Sequence, residues 1–327
     1  MKKQKVLILT LIVLSFKMTM AQQLPNVDYF MYDHARTNPG SLGSKDMVCA
    51  SLIFRESTIG IEGAPQNVIG NVETPFNLFG LKHGVGLSLN TDNIGFNEDI
   101  NIRLGYAMRF NVADGTLGIG FNGNLYQHTV NTSEWLDPSL GNGSEDPYIP
   151  TGSQENLQGF GLGVGLFYRS EDIYLGASVA NVYSSDIEYE SGEGATSANS
   201  AIFALRPHYY LTAGYTYQLS NPAYEVEPSI MLFSDGTSTS FDLNGTLTYN
   251  KRVWGGVTYR AGSPVASAVV AMLGFVVLDG LQVGGAYEYN TSALSRYSNG
   301  GFEVMLNYCF KLGVEKSPKR YRSIRYL

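Results

Sequence analysis

Apolar and polar residues alternate along much of this chain, most clearly in the segment 241–250. Apolar, aromatic or glycine residues occupy every odd position there, and polar residues occupy every even position. Successive side chains of a β-strand point to opposite faces of the sheet, so this segment has one apolar face and one polar face. The same alternation returns in the segments 100–110, 160–169, 208–217 and 302–310. The pattern predicts an all-β protein.

About fourteen such segments can be counted, each near the length that a tilted strand needs to cross a membrane. Their predicted starts lie near residues 47, 66, 83, 97, 115, 153, 171, 206, 223, 237, 253, 265, 279 and 299. Alternation is poorest in 66–76 and 265–277. The nearly apolar run 265–278 is too short for a transmembrane helix. We therefore expect a closed antiparallel outer-membrane β-barrel over residues 47–312, with apolar faces toward lipid, rather than a soluble sandwich.

The composition fits this interpretation. Only 16% of the 327 residues are charged and 12% are aromatic, and the chain contains 22 Tyr and 37 Gly. Low charge with many Tyr and Gly residues is typical of barrels with aromatic girdles. The net charge is -7, and no basic patch is interleaved with stacking aromatic residues. The composition therefore argues against nucleic acid as a partner and favours outer-membrane lipid.

Both ends of the chain carry additional segments. Residues 1–21 have the basic start, the apolar stretch and the small residues of a signal peptide, so we expect Sec-dependent export and an integral outer-membrane location. Residues 22–46 precede the first strand, and the apolar cluster Tyr29–Tyr32 favours a short helical plug inside the barrel over a periplasmic arm. Residues 313–327 form a basic tail that we expect in the periplasm.

The lengths of the predicted connections indicate an orientation. If the chain enters the barrel from the periplasm, the two longest connections, 133–152 and 185–205, both face the outside. Short turns such as 111–114 and 250–252 then face the periplasm. Long outer loops and tight periplasmic turns are the asymmetry that outer-membrane barrels show.

Several charged residues lie on the polar face of the predicted strands and hence point into the lumen. They are Arg55, Arg103, Arg109, Asp242, Glu288 and Glu303. One interpretation is an ion-pair network that fills the barrel, and the other is the lining of a selective channel. Because buried charges are usually paired, we favour the network.

The two cysteines, Cys49 and Cys309, lie in the first and last predicted strands. Closing the barrel makes those strands neighbours, and an exported protein meets an oxidising compartment that permits a disulfide. We favour the other interpretation, two unpaired buried thiols, because the register between the strands is not known from the sequence.

Motifs for catalysis or for cofactor binding are sparse. The four histidines are isolated, and no HExxH or CxxC spacing occurs. The glycine run 118–123 lies within a predicted strand and not before a helix, which argues against a phosphate loop. We expect no metal, no cofactor and no enzymatic activity. An outer-membrane hydrolase with a Ser/His pair is the alternative, since sequence spacing alone cannot locate such a pair.

Four segments resemble those of a known family. They are Asn38-Pro39-Gly40 with Gly43; Arg55 followed by the loop Gly60–Pro65; Gly84–Leu89 followed by Asp92, Ile94 and Gly95; and Ser317–Tyr321. In this order and spacing they resemble the PorP/SprF family of Bacteroidota outer-membrane proteins, which is linked to the type IX secretion system and to gliding motility. The chain departs from the family pattern at Thr58, where Trp is usual, and at Gly40, which replaces Ala.

The resemblance implies a non-enzymatic barrel that helps to export or anchor large surface proteins, including adhesins, and that contacts periplasmic secretion or gliding machinery. It marks candidate partner-binding residues on the outside, namely Arg55, Gly60, Gly63, Ala64 and Pro65, and on the periplasmic side, namely Asn38, Pro39, Pro318, Arg320 and Tyr321. A transport channel for small or hydrophobic solutes is the alternative function, because a fourteen-strand barrel is wide enough to hold a pore.

Overall fold

The computed structural model describes residues 27–130, 155–189, 201–262 and 267–311. Within these ranges the chain forms strands β1 Val48–Glu56, β2 Gln66–Leu78, β3 Leu81–Ile94, β4 Asn97–Val112, β5 Gly115–Val130, β6 Glu155–Arg169, β7 Ile173–Ser184, β8 Asp186–Tyr189, β9 Ala201–Ala204, β10 His208–Tyr215, β11 Tyr217–Gln218, β12 Tyr224–Ser234, β13 Thr239–Tyr249, β14 Val253–Gly262, β15 Ala268–Leu278, β16 Leu281–Asn290 and β17 Gly301–Phe310. The predicted signal peptide, the loop 133–152 and the basic tail lie outside the described residues.

The strands close into an antiparallel barrel. Its wall has fourteen strand segments, here called staves, and β10 and β11 together count as one stave. Each long strand pairs with the next along the chain, β17 pairs with β1, and β10 pairs with β12 to complete the circle. The two residues of β11 continue the stave of β10 along β12. The predicted fold class is confirmed, and no stave begins more than three residues from its predicted start.

The outer surface of the barrel is apolar and the inner surface is polar. In β13, Phe241 and Leu243 are 40% and 52% exposed, whereas Asp242 between them is 1% exposed. Every backbone N–H and C=O in the middle of a stave has a neighbouring strand, which is the condition for spanning a bilayer with strands. The structure thus assigns the apolar face to lipid and the polar face to the lumen.

The two ends of the barrel differ. At the turn end, strands are joined by the connections 79–80, 113–114, 170–172, 219–223, 250–252 and 279–280. At the loop end, they are joined by 57–65, 95–96, 131–154, 185–207, 235–238, 263–267 and 291–300. The connection predicted at 185–205 differs from expectation, because β8 and β9 pair there as a separate two-stranded sheet. Strands of four residues are too short for a clear alternation of apolar and polar positions to be recognised in the sequence.

Residues 27–46 form a plug inside the barrel, as the sequence predicted. The plug contains a single turn of α-helix, α1 His34–Thr37, followed by a 3₁₀ helix at Pro39–Ser41. Val27 and Tyr29 are fully buried against residues of the barrel wall that include Met231 and Trp254. In the part of the chain that the structure describes, no helix is long and apolar enough to cross a bilayer.

Candidate functional site: the plugged lumen and the loop face

The plug begins at an ionic clamp in the half of the lumen nearest the loop end. The carboxylate of Glu303 on β17 accepts hydrogen bonds from the backbone N–H groups of Asp28 and Tyr29, at 2.9 and 3.1 Å. The Asp28 carboxylate lies 2.8 Å from Arg55 on β1 and 2.9 Å from Arg260 on β14. One plug residue therefore joins strands on both sides of the closing seam.

The clamp belongs to a larger buried network. The Glu288 carboxylate bridges the two guanidinium groups, at 2.5 Å from Arg55 and 2.8 Å from Arg260. Asp242 accepts hydrogen bonds from Nε and Nη2 of Arg260, at 3.0 and 2.9 Å. All of these residues are less than one tenth exposed. The predicted ion-pair network is thus confirmed for Arg55, Asp242, Glu288 and Glu303.

The other two charged residues predicted in the lumen do not join this network. Arg103 donates a hydrogen bond to the backbone carbonyl of Arg36 in the plug, and Arg109 donates one to the Thr116 hydroxyl group. Both are nearer the turn end than the clamp, on the wall formed by β3, β4 and β5. Arg103 therefore helps to hold the plug by a separate contact.

Sequence reasoning missed Asp28 and Arg260. Arg260 has the same polar-face position on its strand as the predicted residues, so the alternation of β14 could have identified it. Asp28 lies in the plug, which has no strand periodicity. Burial would raise the pKa of Asp28, but the adjacent guanidinium groups of Arg55 and Arg260 outweigh burial and lower its pKa below the ordinary value. Asp28 is therefore ionised when it is clamped.

Aromatic contacts hold the middle of the plug. The ring of Tyr29 meets that of Trp254 edge-on at 5.7 Å between centroids, and Tyr32 lies 4.8 Å from the same indole. His34 contacts the rings of both Phe167 and Tyr174, at 5.0 and 4.5 Å between ring centroids. Burial, together with the positive charges of Arg169 and Lys45, lowers the pKa of His34 well below its ordinary value. His34 is therefore neutral when the plug is in place.

The last part of the plug packs against a wall of glycines near the turn end. A side chain at Gly84, Gly118 or Gly120 would overlap the backbone of the plug between Pro39 and Leu42. The amide of Asn38 donates a 2.9 Å hydrogen bond to the carbonyl of Leu166 on β6. Close approach of two backbones requires residues without a Cβ atom on the facing wall.

This position differs from the one expected for Asn38 and Pro39. Both are buried in the lumen and do not face the periplasm. The physical reason is the glycine wall, which lets the plug backbone lie against the barrel. The structure gives these two residues a part in plug packing, since neither is on a surface that a partner could reach. The other periplasmic candidates, Pro318, Arg320 and Tyr321, lie outside the described residues.

At the loop end, three connections join into one surface, here called the loop platform and made of residues 57–65, 95–96 and 291–300. Backbone hydrogen bonds of 2.7 Å link Ile59 with Gly300 and Asn299 with Ile59, and one of 2.9 Å links Gly95 with Gly63. The platform presents the exposed side chains of Ile61, Phe96 and Tyr297, which are 38%, 45% and 76% exposed.

The predicted outer residues divide between this platform and the lumen. Gly60 and Gly63 adopt φ angles of +95° and +71°, which favour glycine, and they shape the platform together with Ala64 and Pro65. Arg55 is buried in the ionic network below. Its place in the family pattern is therefore explained by plug anchoring rather than by an exposed partner contact.

Cys49 and Cys309 form a disulfide near the turn end, so the interpretation as two unpaired thiols was wrong. They are direct partners in the register of β1 and β17, so the bond crosses the seam where the barrel closes. Among the described residues, no three His, Cys, Asp or Glu side chains are grouped to hold a metal ion.

A fourteen-strand barrel with an apolar outer surface and a lumen filled by its own N-terminal segment defines a plugged outer-membrane β-barrel. Residues 19–308 match the family model described as type IX secretion system membrane protein PorP/SprF, and the chain belongs to this family. No curated protein matches the sequence.

Solved structures with a similar barrel include two toluene transporters. The chain is similar to TbuX of Ralstonia pickettii, with a TM-score of 0.50 and 10% identity over 83% of this chain and 91% of that one. For TodX of Pseudomonas putida the TM-score is 0.49 and the identity 12%, over 86% of this chain and 93% of that one. At such low identity the likeness to TbuX shows the barrel fold alone.

Proposed function

We propose that this protein is a non-enzymatic outer-membrane scaffold of the type IX secretion apparatus. Its loop end faces the outside and helps to export or anchor a large surface protein such as an adhesin. Its turn end faces the periplasm and contacts secretion or gliding machinery. The observation that carries this proposal is the filled lumen, because a barrel closed by its own clamped plug acts through its two ends.

The clamp supports this proposal energetically. Asp28 contacts both buried arginines, and Glu303 holds the plug backbone. Removing one partner from such a buried ion pair typically costs about 3–5 kcal/mol, because the other charge is left uncompensated. The plug is thus tied strongly enough to favour a scaffold over an open conduit.

The loop platform is the surface that best fits a secreted partner. Its three connections are fixed to each other by backbone hydrogen bonds, so little ordering is required when a partner binds. Exposed Ile61, Phe96 and Tyr297 supply apolar and aromatic contact area, which is typical of the centres of protein interfaces. On the periplasmic side, Pro318, Arg320 and Tyr321 of the basic tail are the proposed contacts with machinery.

A deletion strain complemented with matched variants tests this function. We expect the deletion to remove one or a few large proteins from the cell surface and to leave outer-membrane permeability unchanged. Ile61→Asp on the platform should reproduce that loss, whereas Thr237→Asp, on another exposed loop of the same end, should not. Equal barrel levels in both strains are checked by immunoblot. An unchanged surface proteome in the deletion strain would reject the proposal.

A transport channel for small or hydrophobic solutes is the second candidate. The observation in its favour is that the barrel has a fold similar to that of the toluene transporter TbuX. Planar-bilayer recordings separate the two functions. The scaffold predicts no steady conductance from the wild-type barrel, and a stable open pore would favour transport.

A further inference from the structure

A cavity of about 520 Å³ opens at the turn end between the plug and the barrel wall. We call it the turn-end cavity. Residues of the connections 170–172 and 279–280 line it, and its volume lies in the range of sites that admit small molecules. Cys309, one half of the seam disulfide, is also part of its lining. A solute that enters from the turn end can therefore reach the disulfide.

The two cysteines of the disulfide differ in their access to this cavity. Cys309 lines the cavity and is partly exposed, whereas Cys49 is 4% exposed and is not part of the lining. Gln282 on β16 and Asn307 on β17 line the cavity as well, but among the described residues none of β1 or β2 does so. The cavity thus lies on the Cys309 side of the disulfide.

This position decides which sulfur a reagent in the cavity can attack. In thiol–disulfide exchange a thiolate attacks one sulfur in line with the S–S bond, and the other sulfur leaves. The rate depends on access to the attacked sulfur as well as on the thiolate itself. A thiolate in the turn-end cavity approaches Sγ of Cys309 from the side of β16 and β17, which makes Cys49 the leaving group.

We propose that Cys309 is a site of thiol–disulfide exchange that is reached through the turn-end cavity. The attacking group is a thiolate, supplied by a small thiol or by a cysteine of another protein. Its sulfur forms a bond with Sγ of Cys309 while the bond between Cys309 and Cys49 breaks. Cys49 leaves with the electron pair as a thiolate and takes up a proton from solvent. The attacking thiol is the reductant, and it ends as one half of a mixed disulfide.

Exchange at Cys309 opens the seam at one end only. It releases the covalent link between β1 and β17 near the turn end, and it leaves the ion pair of Arg55 with Glu303 near the loop end in place. The site is therefore a place where thiol chemistry can loosen the barrel without removing the anchor of the plug. This inference does not depend on the proposed function, because it concerns the access of a thiol to one cavity.

Mapping of mixed disulfides tests the proposal on the purified full-length protein in lipid nanodiscs. The oxidised protein is treated briefly with reduced glutathione, quenched with acid and analysed by peptide mass spectrometry without reductant. We expect the adduct at Cys309 to exceed that at Cys49 by about tenfold or more, because access decides which sulfur is attacked. The same protein unfolded in urea is the control, and there both cysteines should carry the adduct.

A second reagent distinguishes the two sources of thiolate. A thioredoxin whose resolving cysteine is replaced by serine attacks a disulfide and remains joined to it. An adduct at Cys309 with glutathione alone would assign the site to small thiols, and an adduct with thioredoxin alone would assign it to protein thiols. Adducts with both reagents would show that the cavity admits either class.

Two tryptophan variants test the route through the cavity. Gln282→Trp places a large ring in the lining on the Cys309 side, so the adduct at Cys309 should form about tenfold more slowly. Leu281→Trp is the matched control, because the neighbouring side chain lies on the opposite face of β16. The proposal is overturned if neither thiol reacts at Cys309 of the folded protein while the unfolded protein reacts, or if the adduct forms mainly at Cys49. Equal rates in the two folded variants would also overturn it.

Discussion

At the scale of single residues, Asp28 connects the plug to the barrel. Its carboxylate is shared between Arg55 and Arg260, and its backbone N–H is bonded to Glu303. These contacts join a residue early in the chain to the first strand, β1, and to β14 and β17 near the far end of the chain. A buried charge with two opposite partners is a strong anchor only while every member is present, since each loss leaves an uncompensated charge.

We expect Asp28→Asn to weaken plug seating by about 3–5 kcal/mol, because two buried guanidinium groups lose a shared carboxylate. Hydrogen exchange of the plug peptides measures this directly, since the Tyr29 amide donates to Glu303 and exchanges when the plug opens. Asp46→Asn is the matched control. Asp46 pairs with Lys82 at 2.8 Å on the surface, where such a pair contributes about 0–1 kcal/mol. Equal hydrogen-exchange rates of the plug peptides in the two variants would contradict the proposed anchoring of the plug by Asp28.

His34 makes plug stability depend on pH. Its pKa is well below the ordinary value in the folded protein because it is buried and lies near Arg169 and Lys45. The released plug takes up a proton below about pH 6.5, whereas the seated plug does not. The contribution of His34 to plug stability is therefore fully present above that pH. It is lost as the pH falls, by up to about 1.4 kcal/mol per pH unit.

His34→Phe keeps the aromatic contacts with Phe167 and Tyr174 and removes the titration. We expect the variant to gain stability relative to the wild type between pH 7.5 and pH 5, measured by urea unfolding at several pH values. Asp33, whose pKa is raised by burial, titrates in both proteins and cancels in the difference. A difference that does not change with pH would show that His34 takes up protons equally in the seated and the released plug, and would contradict the lowered pKa.

At the scale of elements, the strands and the plug differ in what the sequence reveals. A stave has lipid on one side and the lumen on the other. Its apolar and polar residues therefore alternate, and this alternation predicted the fourteen staves. The poorly alternating stretches near 66 and 265 still form β2 and β15, because their neighbours on both sides require pairing partners. Arg260 carried the same alternation signal and was overlooked.

The plug has no such period, and its contacts could not be derived. Its apolar cluster predicted burial, but the pairing of Asp28 and the packing of Asn38 depend on strands far away in sequence. The glycines that receive the plug were visible only as part of strands. Their role follows from which wall the plug touches, and this is set by the closed barrel.

The glycine wall leads to a prediction at this scale. Gly120→Val places a side chain where the plug backbone passes at Pro39, so we expect overpacking of about 1–3 kcal/mol that displaces the plug. Gly245→Val is the control, because a Cβ atom there meets no other atom. Both variants should still fold as barrels, which is checked by gel electrophoresis, because a folded barrel changes its mobility when the sample is heated. Only the Gly120 variant should show faster hydrogen exchange in plug peptides, and protection equal to that of the control would disprove the close contact.

At the scale of the whole molecule, closure depends on the pairing of β1 with β17. Nine residue pairs form this seam, from Val48 with Phe310 to Glu56 with Phe302. The ionic clamp crosses the seam near the loop end, through Arg55 and Glu303, and the disulfide crosses it near the turn end. The seam is thus fastened at both ends, which protects strands that would otherwise have free edges.

The disulfide should contribute mainly to the persistence of the closed barrel. It joins residues separated by 260 positions, and disulfides typically add about 2–4 kcal/mol of stability. The partner strands must meet before the sulfurs can, so the bond forms late and should slow unfolding more than it speeds folding.

We expect the double variant Cys49→Ser/Cys309→Ser to fold at a similar rate and to unfold in urea considerably faster than the wild type. Wild-type protein treated with reductant and alkylated should behave like the double variant, with the modification verified by intact mass. Unfolding rates equal to those of the oxidised wild type would mean that the hydrogen bonds and the ionic clamp close the seam without help from the disulfide.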